Sequence, residues 1–231
     1  MPRKRQLPYL KKQRQRGQIA IWLVDGAYVR TESDIDFNNF GQHTDFDFIP
    51  ASEFWIDHEK KPDEWSLFVD HMAAEHRALK RGLAPEEAAQ KGVLAERAAR
   101  EKAGDLKRLM PEGGLPDPDR VHVSLWKKLE NGVAVWMVDG RLVRSVFDLD
   151  FTMGGHDHVY EFVPPNEVWI DNDVNDLERA YVLIHELYER NRMLSGWDYT
   201  KAHTAASKIE MRYRKHPDEL HPALAEEGWE A

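Results

Sequence analysis

The sequence predicts an α+β protein written twice, each copy a small antiparallel sheet followed by a two-helix hairpin, the pair packed about a pseudo-twofold axis. Three observations predict this. The segment IAIWLVDG from Ile19 aligns without a gap on VAVWMVDG from Val133, an offset of 114. Between 18–101 and 132–215, 24 of 84 aligned positions are identical, too many for one fixed offset by chance, so internal duplication is the firmest reading. Each copy also opens with short apolar runs and closes with helix-period patterns.

The elements follow in order. IWLVDGAYVR and VWMVDGRLVR place apolar runs around Asp25-Gly26 and Asp139-Gly140, a two-residue hairpin signal because Asp-Gly readily supplies the positive φ angles. FDFIP and YEFVP lead through a proline turn into the strands EFWID and EVWID. Two helices complete each copy. In the second copy, Asp173 or Asn175 caps the first helix, Leu177, Tyr181, Ile184 and Tyr188 form its apolar stripe, and Gly196 stops it. The next helix begins near Asp198 or Thr200 and buries Tyr199, Ala202, Ala206, Ile209 and Tyr213.

This reading divides the chain into a basic N-terminal arm (1–17), a first repeat (18–101), a Gly- and Pro-rich linker (102–123), a second repeat (124–215) and an acidic tail (216–231). The matching LKK and WKK before Gly17 and Gly132 extend the duplication slightly further, with one residue of slippage.

Composition narrows the function classes. Apolar residues make up 42% of the chain and charged residues 32%, which suits a soluble protein with a real core. No cysteine is present, so disulfides, thiol nucleophiles and thiolate metal sites are excluded, and a reducing compartment fits. No apolar run is long enough to span a bilayer, and the basic N-terminus lacks the apolar core of a secretory signal. The expected location is the cytoplasm, or a phage particle assembled there.

The net charge of −9 hides an asymmetry. Arg3, Lys4, Arg5, Lys11, Lys12, Arg14 and Arg16 all precede the first acid, Asp25. A basic arm on an acidic body can hold nucleic acid or an acidic protein surface. No aromatic platform or recognition helix stands out for reading bases, so nucleic-acid contact through this arm would be nonspecific.

The two copies are each other's control. Both keep Trp22/Trp136, Arg30/Arg144, Asp34/Asp148, Asp36/Asp150 and the Trp-Ile-Asp of 55–57 and 169–171. Shared residues of this kind read as architecture. Asp148 and Asp150, spaced as on one strand face, have no partner motif for glycoside or phosphoryl chemistry. There is no Gly-rich phosphate loop, dinucleotide fingerprint or nucleophile elbow either.

The differences point to chemistry. His156, His158 and His203 face Gln42, Thr44 and Ala89, and Glu186 faces Met72. The second copy therefore holds the candidate site. His185 and Glu189, four apart, share one helix face. His203 and Glu210, seven apart, share a stripe with Ala202, Ala206 and Ile209. Ionisable groups on a buried stripe need partners, and a metal ion is one.

His185-Glu186-Leu187-Tyr188-Glu189 resembles the zincin metallopeptidase helix, His-Glu-x-x-His, with Glu189 at the second histidine's place. The resemblance covers about 60 residues of the second copy, including the sheet before the helix. It implies a hydrolase of peptidase or amidase type using zinc or another divalent metal. It would make His185, Glu189 and His203 ligands and Glu186 the base, with His156, His158 and Glu210 as further candidates.

Two alternatives stand beside this. His71 and Glu75 repeat the spacing in the first copy without Glu186 or His203, as a side-chain pair reaching Glu96, and the same network could account for the second copy without metal. The whole chain can also be read as a non-catalytic assembly protein, for example phage-associated, anchored by its basic arm.

Overall fold

The computed structural model describes residues 8–110 and 114–229 and is α+β. The chain divides into two compact units, Met1–Asp105 and Leu106–Ala231. The first contains β1 (Tyr9–Arg16), β2 (Ile19–Val24), α1 (Gly26–Glu32), β3 (Phe40–Gln42), β4 (Glu53–Asp57), α2 (Trp65–Lys80) and α3 (Pro85–Ala103). Helix α4 (Asp105–Leu109) crosses the division. The second contains β5 (His122–Lys128), β6 (Ala134–Val138), α5 (Gly140–Val146), β7 (Gly154–His156), β8 (Glu167–Asp171), α6 (Asp176–Leu194), α7 (Tyr199–Lys215) and α8 (Leu220–Glu226).

Each unit holds a four-stranded sheet, ordered β1-β2-β4-β3 and β5-β6-β8-β7. The sheets are mixed, not antiparallel as expected: β2 runs parallel to β4 and β6 to β8, while the outer pairings are antiparallel. Trp22 lies opposite Trp55, and Trp136 opposite Trp169.

The parallel pairing corrects the reading of Asp-Gly, which makes no hairpin. Asp25 is the N-cap of α1, its carboxylate accepting from the Tyr28 amide at 3.1 Å, and Asp139 caps α5 through Leu142 at 3.2 Å. The glycines are needed for space. A Cβ on Gly26 would lie 1.9 Å from Asp57 Oδ2, and one on Gly140 2.2 Å from the Asp171 carboxylate. Those carboxylates are buried against Arg30 (2.7 Å) and Arg144 (2.8 Å). Arg30 outweighs the cost of burial and holds Asp57 at a pKa of about 2. The turns that reverse direction lie earlier, at Gly17 (φ 63°) and Gly132 (φ 88°).

Three further expectations change. The arm is part of the first sheet over Tyr9–Arg16, because β1 pairs with β2; Arg3, Lys4 and Arg5 lie outside the described residues. Asp34 and Asp148 close tight turns, accepting from the amides of Asp36 and Asp150 at 2.9 Å, rather than lying on strands. Linker and tail contribute to the second unit's cores: Leu109 and Val121 pack with Trp169, and Leu220, Ala223 and Leu224 with Leu183 and Leu187.

Helix α6 starts at Asn175, whose side chain accepts from the Leu177 and Glu178 amides. Its buried face is not the expected apolar stripe. Leu177 is 81% exposed, while Val182, Leu183, Ile184 and Leu187 are buried together with Glu178, Glu186, Glu189 and Arg190. A face this rich in paired charge is invisible to a search for apolar periodicity. Asp198 caps α7, which buries Ala202, Ala206 and Tyr213 but leaves Tyr199 exposed. Among the described residues no helix is long and apolar enough to cross a membrane.

Candidate metal centre

The site is assembled by three elements of the second unit. Helix α6 supplies His185, Glu186 and Glu189, α7 supplies His203 and Glu210, and the short edge strand β7 supplies His156. The four-residue spacing along α6 stacks His185 on Glu189, as the helical repeat dictates.

Three ligand-type atoms converge. His185 Nε2 is 3.2 Å from His203 Nδ1 and 3.4 Å from Glu189 Oε2, and His203 Nδ1 is 2.7 Å from Glu189 Oε2. A tetrahedral ion with bonds of roughly 2.0–2.1 Å sets its ligand atoms about 3.3 Å apart. Two of the three edges match that spacing; the third has the length of a charge-assisted hydrogen bond. Among the described residues, this trio is the one group of three or more His, Cys, Asp or Glu side chains with that convergence.

A surrounding layer orients the trio. His185 Nδ1 lies 2.9 Å from Glu210 Oε2, so its far nitrogen is held by a carboxylate, the arrangement commonly found behind metal-bound histidines. Glu210 Oε1 accepts from Arg214 at 2.8 and 3.0 Å, and Arg214 is paired at 2.8 and 2.9 Å with Glu178. His156 Nδ1 accepts from the His158 amide at 3.2 Å, which leaves its Nε2–H to donate to Glu189 Oε1 at 3.2 Å. Both Glu189 oxygens are thereby engaged.

Electrostatics follow from these contacts. Burial works against charge on Glu189, but bonds from His156, His185 and His203 overcome it and hold the carboxyl well below its usual range. Burial likewise opposes the His185 cation, yet Glu189 and Glu210 push its pKa up to about 10. His156 shifts down, chiefly through burial. Burial pushes Glu186 up to about 8, against the opposing effect of His185. Among the described residues no hydrogen bond reaches the Glu186 carboxyl, which lies over Gly154. A Cβ there would sit 2.8 Å from Glu186 Oε1, so the glycine makes the room that the carboxyl occupies.

The structure thus brings together His185, Glu186, Glu189, His203, Glu210 and His156. It leaves out His158, whose ring is partly exposed and lies beside Asp157 at 3.9 Å. The basic residues Lys11, Lys12, Arg14 and Arg16 belong to the first unit, on the exposed edge strand β1, where Arg16 pairs with Asp70 at 2.9 Å. Sequence reasoning missed Arg214, Glu178 and Gly154. The first two carried a signal, since Arg100 and Glu64 stand at the same offset in the first copy.

In that copy, His71 Nδ1 lies 2.8 Å from Glu96, which pairs with Arg100 at 2.7 Å, and Arg100 reaches Glu64 at 2.8 Å. His71 Nε2 is 3.9 Å from Glu75, and Ala89 stands where His203 does. Comparison with protein-family models, characterised proteins and solved structures found no match.

Proposed function

We propose that the second unit is a divalent-metal centre serving hydrolysis, with His185, Glu189 and His203 as ligands and Glu186 as general base. The observation that carries this is the convergence of three lone-pair atoms from two helices, backed by the Glu210 carboxylate behind His185. Protons alone serve this triangle poorly. Protons on His203 Nδ1 and His185 Nε2 both point at Glu189 Oε2 and so face each other across 3.2 Å; a cation in the middle serves all three atoms instead.

A divalent ion held there supplies Lewis-acid activation of water and of a carbonyl oxygen. Glu189 would bring negative charge to such an ion, its second oxygen being held by His156 at 3.2 Å. Glu186, free of hydrogen bonds among the described residues and next to His185 in the chain, would take the proton from the attacking water and give it to the leaving amine. The likeness of HELYE to the zincin helix supports an amide or peptide substrate. The matching strand order and register support descent of both units from one duplicated module, the first of which lost the ligand at Ala89.

The test pairs metal content with turnover. Glu186→Gln should keep the metal and lose hydrolysis of amide or peptide substrates by at least about 100-fold. Full turnover by that variant, or no bound metal in the native protein, would refute the assignment.

A second reading has one observation behind it. Strand β1 presents Lys11, Lys12 and Arg14 exposed along a free sheet edge, which supports nonspecific attachment to nucleic acid or an acidic surface. Because β1 is part of the sheet, charge reversal of these residues is the test, with salt-sensitive binding of random-sequence DNA as readout. Binding unchanged by reversal would exclude it.

A further inference from the structure

A groove of about 180 Å³ opens on the first unit between β1 and the start of α2, floored by the buried Ile21, Ile56 and Val69 and bordered by Gln13, Arg14 and Ser66. Gln13 Nε2 is buried there without a hydrogen-bond partner among the described residues, a donor that a carbonyl of a docked chain would satisfy. Arg14 is exposed at the mouth, and Arg77 is exposed further along α2; neither has an ion pair among the described residues.

In the second unit the matching place is filled. Ile21, Ile56, Ser66 and Val69 align with Val135, Ile170, Ala180 and Leu183. Arg14 lies opposite Ile21 and Lys127 opposite Val135, so the sheet register matches Gln13 and Arg14 with Trp126 and Lys127. Val135, Ile170 and Leu183 share one buried cluster with Leu220, Ala223 and Leu224 of α8, and Ala180 packs against it. Just past α8, Trp229 meets the Trp126 ring edge-on at 4.9 Å, and Lys127 Nζ lies 5.1 Å from its centroid. Glu227 accepts from Asn191 at 2.8 Å and from Arg192 at 3.2 Å, and Asn191 stands where Arg77 does. Among the described residues the first unit has no such helix. Its chain runs on from α3 into α4, whose Leu109 is buried in a core of the second unit.

We propose that this groove docks a short acidic amphipathic helix of a partner protein, built like α8. Leucines four apart would enter over Ile21, Ile56 and Val69, and carboxylates beyond them would meet Arg14 and Arg77. Leucine burial drives the association, and the two arginines select an acidic helix over a basic one. The occupant is a separate chain because α8 itself is held in the second unit through Glu227 and Trp229. The metal centre plays no part in this inference.

The peptide of residues 216–231 is the probe, since it carries Leu220, Leu224 and five acids with no Lys or Arg. It is titrated into the nitrogen-labelled full-length protein and read by NMR on the Gln13 side-chain amide and on the indole of Trp65, which also lines the groove. Saturable shifts of both groups are expected. Alanine at both leucines of the peptide should weaken binding at least about tenfold. Arg14→Glu with Ser66→Glu, at two exposed positions, should abolish it with the fold retained. No saturable shift, or shifts confined to the Trp126 and Trp229 indoles through exchange with α8, overturns the proposal. Equal binding of the alanine peptide, or undiminished binding by the double variant, does the same. So does a native protein that dimerises unless Ser66→Glu is present, because the occupant is then a second copy.

Discussion

His71 and His185 sit at matching places in the two units, with the same partners on one side of the ring and different ones on the other. Each histidine bonds through Nδ1 to a glutamate of the next helix, and each glutamate is tied by an arginine to a further buried glutamate. Beyond Nε2 the two part. The first unit offers Glu75 at 3.9 Å and an alanine; the second offers Glu189 and His203. Phe40 and Met72 fill the place that Gly154 and Glu186 take in the second unit, the Phe40 ring lying 5.1 Å from that of His71. The difference teaches that the His–Glu–Arg–Glu relay is architecture common to both, and that the ligand-type groups beyond Nε2 belong to the second unit.

Breaking the relay gives the largest effect on stability. Arg100→Met and Arg214→Met each take the guanidinium away from two buried carboxylates and should each cost about 3–5 kcal/mol in denaturant unfolding. They should differ in metal affinity: Arg214→Met loosens Glu210 and lowers it about 10–100-fold, whereas Arg100→Met leaves it alone. Equal effects on metal would mean that the relay does not distinguish the units.

Writing the first unit's filling into the second is the next test. Gly154→Phe drives a side chain into Glu186 Oε1 and Val182 Cγ1, each 2.8 Å from the new Cβ. It should destabilise by about 1–3 kcal/mol. Adding Glu186→Met, the residue the first unit uses, should recover part of that loss in thermal unfolding; no recovery would show that the two exchanges are unrelated.

The Arg30–Asp57 pair makes a smaller, pH-dependent contribution. Asp57 has its pKa lowered to about 2 in the folded protein, so its stabilisation is complete above its unfolded value near 4 and lost as the pH falls through about 2. Asp57→Asn should remove about 2 kcal/mol at pH 7 and flatten the stability profile between pH 4 and 2. Smallest is the helix cap: Asn175→Ala should cost about 1 kcal/mol, with the metal site unchanged.

Much of this site was legible in the sequence because the gapless internal match at an offset of 114 supplied a reference. His185, Glu189 and His203 follow from helix spacing and from the histidines that the first copy lacks, and Asn175 and Asp198 follow from cap chemistry. The sheet was less legible. Asp-Gly between apolar runs reads equally as a hairpin turn or as a capped helix start, and the deciding partner, Asp57 or Asp171, lies about 30 residues away. The apolar stripe on α6 failed at Leu177 because the buried face includes Glu178, Glu189 and Arg190, whose burial depends on partners on other elements, and Glu186, which lies over Gly154. Gly154 matters only through its neighbour across the packing of β7 on α6, which no local pattern encodes.

Whether His185, Glu189 and His203 form a metal centre is tested most directly by the zinc content of the purified full-length protein, with His203→Ala alongside. About one ion per chain is expected in the native protein, and none in a folded His203→Ala. No metal in the native protein after incubation with zinc, or an undiminished ion in His203→Ala, would contradict it.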